Sequence, residues 1–326
     1  VESLTLDELD RQLAHALQVD GRASFSRIAA VLGVSDQTVA RRYRRLRTAG
    51  ALRVIGLPDA RRIGCVDWLV RIQCAPNAAA SVAAALSRRS DTSWVSLTSG
   101  GTEITCITRT RHRQDSDSLL LQTLPRTPQV VAITAHCLLR NLAGTTGWPG
   151  RTAALTAPQI DALRPAPVPD ADQPVELGDA DQRLLAELAK DGRAGYPALA
   201  SATGWSESTV RRRLDQLRRA NVLYFDVDLD PLLLGYATEA ILWLTVAPGH
   251  LTDVAAALAG HPEIAFASAT TGPTNVVAFA VCRDADALYD YLATRLGALA
   301  GVLRVETAPI IRSAKRAGTA LVPPTR

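Results

Sequence analysis

Arginine crowded around a short apolar spacing is the first chemistry this sequence offers. Residues 41–47 read Arg41-Arg42-Tyr43-Arg44-Arg45-Leu46-Arg47, and a second cluster holds Arg211, Arg212, Arg213, Arg218 and Arg219. Guanidinium groups at this density suit a phosphate backbone, because each phosphate they neutralise releases condensed counterions. Just upstream of the clusters stand Ser35, Gln37 and Thr38, and Ser206, Ser208 and Thr209. Short polar side chains there can cap a helix or reach base edges from its first turn. Double-stranded DNA is therefore the expected partner. The residues expected to meet it are Ser35, Gln37, Thr38, Arg41, Arg42, Arg44 and Arg45, and Ser206, Ser208, Thr209, Arg211, Arg212 and Arg213.

Other chemistries find less support. The five cysteines (Cys65, Cys74, Cys106, Cys137 and Cys282) are scattered and never spaced as CxxC, so they read as small apolar residues rather than disulfides or zinc ligands. The five histidines (His15, His112, His136, His250 and His261) belong to no recognisable set of nucleophile, base and orienting group. No catalytic residue, metal or cofactor is expected. Composition is that of an ordinary globular protein, with 47% hydrophobic and 21% charged residues and a net charge of +4. No apolar run reaches the roughly 18 residues of a membrane span, and the first residues lack the pattern of a secretory signal. The expectation is a cytoplasmic protein with no membrane partner.

The elements that position these residues come from an internal repeat. Asp20-Gly21-Arg22-Ala23 returns as Asp191-Gly192-Arg193-Ala194, and Thr38-Val39 with Arg41-Arg42 as Thr209-Val210 with Arg212-Arg213, at a constant spacing of 171 residues. Further on, Gly100 answers Gly272 and Arg140 answers Arg312 at a spacing of 172. The 326 residues thus hold two copies of one unit, joined by a stretch rich in proline and alanine. That stretch contains Arg164-Pro165-Ala166-Pro167-Val168-Pro169, which favours extended polyproline geometry, and 155–163 could form one short helix.

The front of each copy reads as three helices. Leu6, Leu9, Leu13 and Leu17 form one apolar stripe; Ile28, Ala29 and Leu32 form a second, stopped by Gly33; Val39, Tyr43 and Leu46 point a third inward from an N-cap at Ser35. Helix, glycine turn, helix is the helix-turn-helix pattern, whose second helix enters the major groove. The second copy uses Val210, Leu214 and Leu217 in the same way. Strand-prone runs at 52–57 and 223–229 follow, suited to a wing or connecting strand.

The back of each copy alternates strand, helix, strand, strand, helix, strand. The segments are 66–74, 78–88, 94–98, 103–108, 115–124 and 130–139, then 239–246, 251–259, 265–271, 275–282, 285–296 and 302–311. This is the ferredoxin-like βαββαβ order, a four-stranded antiparallel sheet with two helices on one face. Trp68, Val70 and Ile72 alternate with Asp67, Leu69 and Arg71, so the face away from the helices is partly apolar and should seal against a partner, the other copy being the nearest. The fold class predicted is α+β, with two winged helix-turn-helix domains each followed by a ferredoxin-like domain. The expected boundaries are 1–58 and 62–141, a linker at 142–174, then 175–230 and 231–314, with a tail at 315–326.

The pattern Ser35-x-x-Thr38-Val39-x-Arg41-Arg42-x-x-x-Leu46-x-x-Ala49-Gly50-x-Leu52, repeated from Ser206 to Leu223, resembles the DNA-binding half of the Lrp/AsnC family. The resemblance extends to the order of domains and looks like two family units in tandem. It implies a sequence-specific transcriptional regulator whose ferredoxin-like domains assemble sheet to sheet, form homo-oligomers, and hold an amino-acid or other small-molecule effector near a glycine turn. Here that places the effector at Gly100, Gly101, Thr102 and Glu103, and at Gly272, Thr274 and Asn275. Family members commonly carry Gly-x-x-Asp at this turn, whereas these copies have Glu103 and Asn275. Two alternatives stand beside this reading. One is an architectural DNA-binding protein with the same basic helices. The other is a sirohaem-decarboxylase-like enzyme, which the lack of histidine at 94–106 and 265–278 argues against.

Overall fold

The computed structural model describes residues 4–110, 119–144, 152–165 and 176–317. The first copy runs α1 (Glu8–Val19), α2 (Phe25–Leu32), α3 (Asp36–Thr48), β1 (Leu52–Pro58), β2 (Val66–Cys74), α4 (Ala79–Ser87), β3 (Thr92–Thr98), β4 (Glu103–Thr110) and β5 (Val130–Ala143). After α5 (Ala157–Leu163) the order returns as α6 (Asp179–Lys190), α7 (Tyr196–Thr203), α8 (Glu207–Arg219), β6 (Leu223–Leu229), β7 (Thr238–Val246), α9 (Leu251–Gly260), β8 (Ile264–Thr270), β9 (Val276–Cys282), α10 (Ala285–Asp290) and β10 (Val302–Lys315). The α+β class and both helix-turn-helix and βαββαβ orders are those the sequence predicts.

The chain does not divide along its repeat. One unit comprises Val1–Ile63 with Arg151–Leu234, and the other Gly64–Gly150 with Gly235–Arg326. Like pairs with like: the two helix-turn-helix domains form the first unit, and the two βαββαβ domains the second.

In the first unit each helix begins and ends for a local reason. Ser24 and Ser35 cap α2 and α3 by accepting from the backbone N–H of Arg27 and Thr38, and Gly33 ends α2 in the left-handed region at φ 68°. Ser206 caps α8 through Thr209 in the same way. Leu13, Leu17, Ile28, Val39 and Leu46 are buried in one core; Leu184, Leu188, Leu199, Val210, Leu214 and Leu217 in the other. The strand-prone runs pair with each other. β1 and β6 form an antiparallel ribbon from Leu52↔Leu229 to Pro58↔Leu223. Its centre is Ile55↔Asp226, two residues that are themselves equivalent in the repeat, so a pseudo-twofold axis passes between them.

Reciprocal arginine contacts obey the same axis. Arg22 donates to the carbonyls of Gly192 and Ala194, while its counterpart Arg193 donates to those of Gly21 and Ala23. Arg193 lies over Phe25 and Tyr43; Arg22 lies over Tyr196 and Phe225. Arg47 pairs with Asp191 at 2.8 Å and its counterpart Arg218 with Asp20 at 3.1 Å.

Part of the proline-rich segment belongs to this unit. Leu155, Ile160 and Leu163 join the first helix-turn-helix core, Arg27 donates to the carbonyls of Ala162 and Arg164, and His15 Nδ1 accepts from the N–H groups of Ala154 and Leu155. Of the polyproline stretch expected at 164–169, residues 166–169 lie outside the described residues, as does the tail beyond 317.

The second unit is a closed eight-stranded barrel in the order β10-β3-β4-β2-β5-β8-β9-β7. Each copy supplies one four-stranded sheet, and the joints are equivalent down to their bulges. β5 meets β8 at Leu138↔Thr270, Arg140↔Ala269, Asn141↔Ser268 and Ala143↔Ala267; β10 meets β3 at Ile310↔Thr98, Arg312↔Leu97, Ser313↔Ser96 and Lys315↔Val95. Both β5 and β10 are therefore 14 residues long, where the apolar pattern predicted ten. The extra residues carry Arg140, Asn141, Arg312 and Ser313, polar side chains that hide a strand from a hydrophobicity reading. The helix expected at 115–124 is described only as a wide helical turn, Leu119–Thr123, residues 115–118 lying outside the described residues. The last helix of the second copy passes from α10 into a similar wide turn, Tyr291–Leu296.

Alternation along β2 sends Val70 and Ile72 to the core beneath α4, and Leu69 to the opposite face. There Leu69, Ile241, Trp243, Val277 and Ala308, with Ile107, Leu138, Phe266, Phe279 and Ile310, fill the space between the two sheets. The apolar face expected to seal does so against the other copy.

Candidate nucleic-acid interface and glycine-turn sites

α3 and α8 keep three apolar residues inward, Val39, Tyr43 and Leu46 and Val210, Leu214 and Leu217, and this commits the rest of each surface to solvent. Ser35, Gln37, Arg41 and Arg44 are exposed and Thr38 half-buried; Ser206, Ser208, Arg211 and Arg212 are exposed and Thr209 half-buried. These side chains thus sit together on the first turns and outer face of each helix. Part of their hydrogen-bonding capacity is local: Ser35 Oγ and Thr38 Oγ1 are 2.9 Å apart, as are Ser206 Oγ and Ser208 Oγ. Arg41, Arg44 and Arg212 form no ion pair among the described residues. Arg211 lies 4.6 Å from the centre of the Tyr196 ring.

Arg42, Arg45 and Arg213 are placed differently from the open cationic face that the sequence predicts. Asp10 is fully buried; Arg42 donates to it at 3.0 Å and to Asp7 at 2.5 Å, and Arg45 also pairs with Asp10. Asp181, the counterpart of Asp10, binds Arg213 through both carboxylate oxygens at 2.7 and 2.8 Å. The hydrogen bonds that Arg42 donates to Asp7 and Asp10 hold its guanidinium even more firmly protonated than usual. Such pairs fix the helix against its domain, and the buried carboxylate explains them: a buried charge requires a partner. The signal was present in Leu9-Asp10 and Ala180-Asp181, an aspartate within an apolar stripe in both copies.

The glycine turns lie between β3 and β4 and between β8 and β9. Ser99, Gly100 and Gly101 all have positive φ (52°, 73° and 83°), and Thr102 closes the turn by donating to the Ser99 carbonyl. Glu103, buried at 4% exposure, accepts from Thr98 and Ser99 hydroxyls at 3.2 Å each and from Arg71 Nε at 2.8 Å. At the other turn Gly272 has φ 104°, Thr274 accepts through its carbonyl from Thr270, and the Asn275 side chain bonds both backbone groups of Val246 at 2.8 and 2.7 Å. Glu103 thus anchors a charged cluster, while Asn275 serves the sheet backbone.

Sequence reasoning missed the residues that complete these sites. Arg71 also donates to Glu306 at 2.6 Å and lies 4.6 Å from the Trp243 ring centre. That hydrogen bond holds the Glu306 carboxyl below its usual range. The strand registers place Arg71 opposite Thr105 and Thr134, and Trp243 opposite Val277 and Glu306. Arg71 and Trp243 are therefore equivalent positions stacked on one another. His136, 3% exposed, shares a 2.8 Å hydrogen bond with the Thr271 carbonyl and lies 5.2 Å from the Trp243 ring. Its counterpart is Ala308. The available signal was the alternation of β2, which put Arg71 on the same face as Leu69.

The cysteines behave as packing residues. Cys65, Cys74, Cys106 and Cys282 are buried, and burial pushes the Cys106 thiol up to about 12. Among the described residues no group of three or more His, Cys, Asp or Glu side chains could hold a metal ion, and no helix is long and apolar enough to cross a membrane.

Comparison with known proteins bears on both units. Residues 6–47 and 177–218 match the family model of the AsnC-type helix-turn-helix domain, and residues 239–320 that of the Lrp/AsnC ligand binding domain. The HTH-type transcriptional regulator FL11 of Pyrococcus horikoshii is 30% identical over 135 residues, which are 41% of this chain and 89% of that protein. An uncharacterized HTH-type transcriptional regulator of Pyrococcus furiosus is 30% identical over 142 residues, 43% of this chain and 95% of its own. Among solved structures, that of the siroheme decarboxylase NirDL aligns over 96% of this chain and 94% of its own with a TM-score of 0.63 at 13% identity, a likeness of fold alone.

Proposed function

The chain belongs to the Lrp/AsnC family of transcriptional regulators, and from that premise we propose that a single chain reads DNA as an internal dimer, without catalytic activity. The carrying observation is the pseudo-twofold first unit, in which the β1–β6 ribbon and the exchanged Arg22 and Arg193 contacts hold two recognition helices as one body. α3 and α8 read two half-sites, about one helical turn (roughly 34 to 36 Å) or a multiple apart. The half-sites are unequal, because Gln37 and Arg44 on one helix correspond to Ser208 and Asp215 on the other. Gln37, Thr38, Ser208 and Thr209 contact bases; Arg41, Arg44, Arg211 and Arg212 contact phosphates, with Arg42, Arg45 and Arg213 bracing the helices from behind.

Residues near the axes support pairing within the chain rather than between like copies. Two second copies paired through their ribbon strands would set Asp226 against Asp226, and two first copies closing a barrel would set Arg71 against Arg71, both like-charge contacts. The observed pairs are Ile55 with Asp226 and Arg71 with Trp243. The second unit serves as the effector domain, with ligand near a glycine turn. Further self-association, and residence in the cytoplasm, belong to the same proposal.

Selection from a random DNA library at physiological salt, with the mass of the complex measured alongside, tests this reading. A two-part motif with unequal halves, bound by one chain about 10³-fold or more above non-specific DNA, is expected. Uniform weak binding would favour the architectural reading. Tighter binding to a symmetrised operator built from either half alone would refute the asymmetric one.

A further inference from the structure

α3 and α8 turn equivalent stripes outward. With Val39, Tyr43 and Leu46 inside, helical spacing puts Gln37, Arg41, Arg44 and Thr48 on the opposite side of α3. On α8 the same stripe holds Ser208, Arg212, Asp215 and Arg219, and the side chains of both stripes are exposed. A carboxylate thus stands in the middle of one of two surfaces otherwise suited to a polyanion, where its counterpart is the Arg44 guanidinium.

Nothing within the chain accounts for it. The other acids on these helices, Asp36 and Glu207, occupy first turns, where free N–H groups and the helix dipole favour negative charge. Asp215 lies well past the first turn of α8, beyond that effect. Arginines occupy every neighbouring place on the helix surface: Arg211 and Arg212 one turn before it, Arg218 and Arg219 one turn after. Yet none pairs with it among the described residues. Arg218 reaches Asp20 at 3.1 Å, Arg211 lies over the Tyr196 ring at 4.6 Å from its centre, and Arg212 and Arg219 form no ion pair. Asp215 is left as an exposed acceptor without a donor.

The geometry points to Asp215 as the residue that selects one base pair in the half-site read by α8, a C·G pair whose cytosine amino group donates to the carboxylate. The inference rests on the reading of α3 and α8 as two recognition helices. A carboxylate carries only acceptors, so phosphates and the acceptors of guanine and thymine in the major groove repel it. Adenine offers a donor with an acceptor beside it, and cytosine alone offers a donor without one. The Asp215 side chain is short, and from a helix seated in the groove it reaches only the base edges beneath. Arg44 is long enough to swing to a phosphate, which every sequence supplies. α3 therefore binds with tolerance at this position, while α8 penalises every base pair but one.

Competition binding of the full chain to its selected motif, with each position of both half-sites varied in turn, tests this. The unaltered chain should require C·G at one position of the α8 half-site, losing about tenfold in affinity for any other pair, with no such requirement at the equivalent position of the α3 half-site. Asp215→Asn should move that preference to A·T, because an amide sets a donor beside an acceptor. Asp215→Ala should erase it, while unrelated sequences are bound at least as tightly as before, since the repelling charge is gone. Arg44→Ala, by contrast, should weaken all sequences alike. Asp215 has no partner to lose, so its variants should melt as the unaltered chain does. A motif unchanged in both Asp215 variants, or a relaxed position that is not C·G, would overturn the inference and leave the two-half-site reading standing. Uniform binding of all sequences by the unaltered chain would defeat that reading and the inference together.

Discussion

The helix-turn-helix pair and the barrel are both built on a pseudo-twofold, but they have kept different things symmetric. In the first unit the chemistry itself is reciprocal: Arg22 does for the second copy what Arg193 does for the first, Arg47 and Arg218 exchange Asp191 and Asp20, and Asp10 and Asp181 each brace a recognition helix. In the barrel the joints between the copies are reciprocal, bulge for bulge, while the interior is not. Arg71 meets Trp243, Glu103 corresponds to Asn275, Glu306 to Thr134 and His136 to Ala308. A duplex offers two half-sites of near-identical backbone, so two similar readers are useful. An enclosed interior has one centre, where two identical charges would repel, so the copies there can diverge into complementary halves.

The largest effects should come from the buried aspartates and should be alike in both copies. Asp10→Ala and Asp181→Ala are each expected to lower unfolding free energy by about 3 kcal/mol, at the lower end for broken buried pairs because the arginines keep some access to water. Denaturant unfolding of both variants checks this, and a difference above about 1.5 kcal/mol between them would break the equivalence claimed for the first unit.

The barrel should respond unequally. Arg71→Met removes the cation hydrogen-bonded to both Glu103 and Glu306 and should cost about 2 kcal/mol at neutral pH. The Glu306 carboxyl is held below its usual 4.5 by Arg71, so the stability it contributes is present above about 4.5 and is lost as pH falls through the lowered folded value. The gap between wild type and variant should therefore close as pH drops below about 4.5. A gap independent of pH would mean that packing on Trp243, rather than the ion pair, is what Arg71 supplies.

A smaller asymmetry lies within the first unit. His15 is kept neutral by burial, its pKa lowered from 6.5, and its Nδ1 accepts from the segment 154–155; its counterpart is Ala186. A lowered folded pKa means that stability is complete above about 6.5 and declines as pH falls through the folded value. A decline attributable to His15 should appear below about pH 6.5 and be absent in His15→Gln, which thermal melts between pH 7.5 and 5 would measure. His261 in the barrel, also lowered by burial, should leave a residual slope in that variant.

Least visible in stability, yet telling for function, are Arg41 and Arg212. Their alanine variants should change unfolding free energy by less than about 0.5 kcal/mol while reducing the slope of DNA affinity against salt by about one. Arg42→Ala, by contrast, should cost stability as well, since it releases Asp7 and removes one of the two arginines paired with the buried Asp10.

The repeat, the helix-turn-helix triplets with their serine caps, the βαββαβ order and the outward arginines were all legible in the sequence. Each is a local matter: 3.6-residue and two-residue periodicities, a capping serine, a stop at Gly33, set by neighbours within a few positions. The pairing of like domains across the chain, the extension of β5 and β10 into the other copy's sheet, and the meeting of Arg71 with Trp243, Glu306 and His136 were not. These depend on strand edges and side chains brought together from positions more than a hundred residues apart. The contacts of Arg71 with Glu306 and of His136 with Gly272 span such separations, and only closure of the barrel creates them. The sequence by itself determined what each copy would fold into; tertiary structure decided that the copies complete one another, because the open strand edges, and the partners of Glu306 and His136, are supplied by the other copy and not within either one.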